Sequence, residues 1–91
     1  MPWYDDILEK MKKEQLSGEE LSDSFETLLS DAEDMIDRVT GMKMGLEDLY
    51  YYVKSHVEQG QSFSKKDYDD LINDLQYYIN TIGKASELLN P

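Results

Sequence analysis

Ninety-one residues carrying a formal net charge of −11 and no cysteine make one small acidic domain, and a chain of this length buries only about 60 to 65% of its unfolded surface, leaving no room for a large internal cavity. The lack of cysteine excludes a disulfide framework, a thiol nucleophile and a Cys-based zinc site. The charge repels phosphate backbones and anionic lipid, so the expected partner is a basic protein, with no direct nucleic acid and no membrane.

A hydrophobic content of 40% with seven tyrosines argues for a packed core over disorder. The opening "MPWYDD" has no basic n-region, and no apolar run reaches the length of about 18 residues that a bilayer needs. A soluble cytoplasmic protein is the expectation.

The pattern predicts an all-α fold, a small antiparallel bundle of three helices, or four if the chain turns between Gly41 and Gly45. The first helix runs over about residues 3–15, with Trp3, Tyr4, Ile7, Leu8 and Met11 on one stripe; Asp5 and Asp6 begin it and Lys10, Lys12 and Lys13 end it, complementing its dipole. In "LSGEEL", Ser17 and Glu20 are spaced as a capping box, and Leu16 and Leu21 as a hydrophobic staple. The same grammar returns in "FSKKDY", where Ser64 is the cap, Asp67 the acidic third position, and Phe63 and Tyr68 the staple.

After the first box, Leu21, Phe25, Leu28, Ala32, Met35 and Val39 form a seam in steps of four and three, and the phase continues through Met42, Leu46, Leu49 and Val53. That continuity favours one long, kinked helix over about 18–59, spanning roughly 60 Å and matched in length by the first and last helices laid end to end. The alternative is a hairpin in "GMKMG", with Gly41 as a left-handed C-cap and Gly45 capping a new helix. The final helix covers about 65–89, with Tyr68, Leu71, Ile72, Leu75, Tyr78, Ile79, Ile82, Ala85 and Leu89 on its apolar face and Asn90 and Pro91 ending it. No segment alternates with the period of a strand.

No catalytic residue, metal site or cofactor is expected. His56 is the only histidine, so a His pair for zinc and the paired Glu-x-x-His motifs of a di-iron bundle cannot be built. "GMKMG" lacks the length and the Lys-Ser/Thr ending of a phosphate-binding loop, and "DAEDMID" lacks the spacing and turn glycine of a calcium loop. Paired carboxylates need a cleft to shift their pKa values, and a narrow bundle offers little.

What remains is the charge pattern of residues 18–37, which hold eight acidic residues and no Lys or Arg. On a helix Glu19, Asp23, Glu26, Glu33 and Asp37 share one stripe, flanked by Glu20, Asp31 and Asp34. Like charges three or four residues apart cost about 0.2 to 0.5 kcal/mol per pair, so the ribbon opposes folding by about 1 to 3 kcal/mol. It is either a solvated face or a row of charges that imitates a nucleic-acid backbone for a basic groove.

The tyrosines add a second candidate surface. Three consecutive helical positions sweep about 200°, so Tyr51 and Tyr52 cannot both join Tyr50 on the seam, and Tyr77 points away from Tyr78. With Glu47, Asp48, Asp70 and Asp74 they are expected to form an aromatic and acidic patch of interface anchors. Two functions follow: an inhibitor that blocks a nuclease or other nucleic-acid-binding enzyme or its complex, as anti-CRISPR, anti-restriction and nuclease-immunity proteins do, or a helical oligomerisation, adaptor or phage structural module, including a homodimer, whose acids serve solubility.

Overall fold

The computed structural model describes residues 4–89, so Trp3, Asn90 and Pro91 lie outside the described residues. Every regular element among the described residues is a helix: α1 (Asp5–Lys13), α2 (Gly18–Asp31), α3 (Glu33–Arg38), α4 (Met42–Glu58) and α5 (Lys65–Leu89). The fold is all-α. Both cap signals close as the sequence predicts. The Glu20 N–H donates to Ser17 Oγ at 3.2 Å and the Ser17 N–H donates to Glu20 Oε1 at 3.4 Å. The Asp67 N–H donates to Ser64 Oγ at 3.1 Å. Leu16, Leu21, Phe63 and Tyr68, the two staple pairs, are all buried.

The continuous helix over 18–59 is corrected in two places. At Ala32 (φ −104°, ψ 16°) the axis bends between α2 and α3 while the Ala32 N–H still reaches Leu28 O at 3.0 Å. The bend turns Glu33 and Asp34 from mid-helix acids into first-turn acids of α3, where a helix dipole favours them. It also shifts the buried position from the expected Met35 to Ile36, which is 2% exposed.

The second correction is a full reversal. Val39 is extended, and Gly41 adopts φ 85°, a left-handed conformation that costs a residue with a Cβ about 1 to 2 kcal/mol. The chain folds back so that α4 packs along α2 and α3, and the molecule spans 42 Å along its longest axis instead of the roughly 60 Å of an unbroken helix. Gly41, not Gly45, precedes the new helix. Gly45 lies within α4, where a Cβ would collide with the Tyr78 ring, and its role is to let α5 approach. Both arms of the hairpin keep the seam because both face the same core.

Seventeen apolar side chains of the described residues form one buried cluster with contributions from all five helices, and no polar or charged side chain except the Tyr68 hydroxyl enters it. That hydroxyl joins two distant parts of the chain. It accepts from the Leu16 N–H at 3.1 Å and shares its proton between the Met11 and Glu14 carbonyls at 2.9 and 3.1 Å. It thereby satisfies the C-terminal end of α1, whose last carbonyls have no helical partner. Burial first, and then the carboxylates of Glu14, Asp69 and Glu20, raise its pKa against the lowering effect of the Leu16 N–H.

Gly41→Ala destabilises the protein by about 1 to 2 kcal/mol in urea unfolding; a gain of about 1 kcal/mol, as expected of Gly→Ala inside a continuous helix, would contradict the reversal. Tyr68→Phe leaves buried Leu16 and Met11 groups unpaired and costs about 1 to 3 kcal/mol. Because the folded-state pKa of Tyr68 is raised, its contribution is fully present below the ordinary tyrosine value near 10 and is lost as pH rises above it. The alkaline fall in stability is therefore shallower in Tyr68→Phe.

Candidate protein-binding surface

The hairpin turns one edge of the molecule into a carboxylate ridge. On α2, Leu21, Phe25 and Leu28 are buried, which leaves Glu19, Asp23 and Glu26 outward; on α3 the burial of Ile36 leaves Asp34 and Asp37 outward, with Glu33 beside them. Asp31 stands exposed at the end of α2, and its field helps raise the pKa of Tyr4, after burial, at the start of α1. Among the described residues the ridge has one cation within 4.0 Å of a carboxylate: Lys43 Nζ lies 3.5 Å from Asp37 Oδ1. No other ridge carboxylate has a cation that close among the described residues.

Shallow grooves run along both sides of the ridge. On the α4 side, Glu26, Glu33, Asp37 and Glu47 surround Leu29, Ile36 and Tyr50. The Tyr50 hydroxyl donates to Glu26 Oε1 at 2.7 Å, and Lys54 Nζ sits 5.6 Å from the Tyr50 ring centre, so this wall is held by side chains from two helices. On the α1 side, Asp6, Ile7 and Lys10 face Glu20 and Asp23. The ridge is thus a projection with rigid helical backing on both flanks.

The exposed tyrosines, Tyr51, Tyr52 and Tyr77, occupy a different face. Tyr51 and Tyr77 are 58% and 61% exposed, Tyr52 is 40% exposed, and Asp48, Asp70 and Asp74 are exposed with them. Tyr51 leans on Tyr50 and Tyr77 on Tyr78, with ring centres 5.3 and 5.5 Å apart. Tyr52 lies against His56 and Phe63 at 4.7 and 5.6 Å; partial burial, followed by the fields of Asp67 and Asp70, raises its pKa. Glu47, grouped with this patch on sequence grounds, stands instead in the groove beside the ridge. Met44, 72% exposed, is a member that the sequence reading placed in no patch. Its position two helical turns before Tyr51 was the available signal.

No group of three or more His, Asp or Glu residues among those described is arranged to hold a metal ion. His56 is half-buried, stacked on Phe63 with ring centres 4.3 Å apart, and its Nδ1 lies 2.9 Å from the Tyr52 carbonyl oxygen. No helix among the described residues is long and apolar enough to cross a membrane.

The geometry makes the ridge a strained element. Asp23 has Glu19, Glu20 and Glu26 within one turn and no ion pair within 4.0 Å among the described residues, so Asp23→Asn raises stability by about 0.5 to 1 kcal/mol at low salt and by less in 1 M salt, read from thermal or urea unfolding. A loss of stability would show that the carboxylate has a stabilising role. Compared with protein-family models, curated proteins and solved structures, the chain matches none, so the reading of this surface rests on its chemistry.

Proposed function

We propose that the chain is a non-enzymatic inhibitor that binds a nucleic-acid-binding protein, such as a nuclease or a complex containing one, and fills its basic groove with the α2–α3 ridge. The observation that carries this reading is the segregation of charge: eight carboxylates and no Lys or Arg over residues 18–37, on helices that fix their spacing. Interspersed Glu and Lys would keep a helix soluble without self-repulsion. A ridge whose one close ion pair among the described residues is Lys43 with Asp37 is better suited to a partner that supplies the remaining cations.

A helix repeats its outward positions every 5.4 Å, and negative charges at such intervals on a rigid support resemble the regular charges of a nucleic-acid strand to a groove lined with Lys and Arg. Phage counter-defence proteins of the anti-CRISPR and anti-restriction kind, and immunity proteins of nuclease toxins, are the class with this mode of action. The assembly or adaptor reading draws on Met44, Tyr51 and Tyr77. Self-association through that face is opposed by its own aspartates, which leaves the inhibitor reading in front.

An affinity capture from bacterial lysate, eluted by a salt gradient, tests the proposal. Nucleic-acid-binding proteins are expected to be retained, to be displaced by added DNA or RNA, and to be lost when Glu19, Asp23, Glu26, Glu33 and Asp37 are replaced together by Lys. Retention that survives both the competitor and the reversed ridge would overturn it.

A further inference from the structure

Every large apolar side chain that is exposed among the described residues belongs to α4 or α5: Met44, Tyr51, Tyr52, Tyr77 and, near the end of α5, Leu88. The α1–α3 side presents none. The two helices carry five-residue words that match at four positions, "DLYYY" at 48–52 and "DLQYY" at 74–78, with Tyr50 and Gln76 as the difference. In each, the aspartate is exposed, the leucine turns toward the core, the first of the paired tyrosines is exposed and the second lies lower against the protein. An Asp and a Tyr three apart on a helix are neighbours, about 5 to 6 Å between Cβ atoms.

The packing of α4 on α5 brings the two words together. Gly45 lies beside Tyr78, and Tyr52 feels Asp67 and Asp70, which makes the helices antiparallel. In that register Asp48 and Asp74 fall at the same level, with Tyr51 and Tyr77 one turn away in opposite directions. The result is a local two-fold arrangement of two Asp–Tyr pairs. None of these four side chains has a hydrogen bond or an ion pair within the described residues, apart from the ring contacts of the tyrosines.

The geometry points to this α4–α5 face as a docking surface for two arginine side chains of a protein partner, each guanidinium stacking on Tyr51 or Tyr77 while pairing with Asp48 or Asp74. The charge of the face selects a cationic occupant, and its aromatic component selects arginine over lysine: a guanidinium is planar, lies flat on a ring and still offers its fork to a carboxylate, whereas an ammonium is a compact, strongly hydrated point charge. A second copy of the chain is a poor occupant, because an isologous contact would set Asp48 and Asp74 against like charges. This surface goes beyond the proposed inhibition and is separate from the ridge that carries it.

Hexa-arginine and hexa-lysine peptides titrated into the full chain, followed by backbone amide shifts, provide the test. Hexa-arginine is expected to bind more tightly than hexa-lysine and to shift residues 48, 51, 74 and 77. Tyr51→Ala and Tyr77→Ala each reduce the arginine affinity about two- to fivefold and erase the preference, whereas Tyr51→Phe and Tyr77→Phe, which keep the ring, preserve it. Asp48→Asn with Asp74→Asn weakens both peptides. A variant with Asp23 and Glu26 neutralised retains the preference, which separates this face from the ridge. Equal affinities for the two peptides, shifts confined to α2 and α3, or a tyrosine-dependent dimer in sedimentation would overturn the inference.

Discussion

A single left-handed glycine governs how charge is distributed over this molecule. With φ 85° at Gly41, the chain reverses in three residues and lays α4 along α2 and α3. The reversal leaves both arms of the apolar seam facing one core, so the acidic side of α2 and α3 has nowhere to go but outward. It also frees the far side of α4 to pair with α5. The ridge and the tyrosine face are consequences of one turn.

The core imposes the complementary constraint. Its buried side chains are apolar, with the Tyr68 hydroxyl as the polar exception, and that hydroxyl is satisfied by three backbone groups, one in the last turn of α1 and two in the α1–α2 connection. Burying a carboxylate in so small a domain without a partner is prohibitive. Twenty acidic residues against nine basic ones must therefore crowd the surface. What is informative is that they are not spread evenly: seven of the nine cations lie on α1, around the α3–α4 turn and at the start of α5, Lys54 and Lys84 stand singly, and α2 has none. A domain selected only for solubility has no reason to accept the repulsion that this separation creates.

Much of the fold was legible in local sequence grammar. The two Ser caps, the hydrophobic staples and the broad face of α5 are decided within a few residues, and they appear where spacing placed them. The reversal was hidden because Val39 and Met42 preserve the seam's phase across Gly41, and a phase-true hairpin cannot be told from a kinked helix by periodicity alone. The bend at Ala32 was hidden for another reason: alanine is the strongest helix former and sits on the seam, so neither residue type nor hydrophobic spacing marks a break there. The ridge could be read because it is local to one stretch of chain. The level pairing of Asp48 with Asp74 could not, because it depends on the register of α4 against α5, which Gly45 and Tyr78 set from residues distant in sequence.

The central claim is that the ridge acts on a partner as a row of phosphates would, and its most direct test is the salt dependence of binding to a captured nucleic-acid-binding protein. If the ridge is the contact, affinity falls steeply with salt, and the slope of log Kd against log salt concentration flattens stepwise as Glu19, Asp23, Glu26, Glu33 and Asp37 are neutralised one after another to Gln or Asn. A slope near zero, or one that the neutralised ridge leaves unchanged, would contradict it and return the acids to the role of a solvated face.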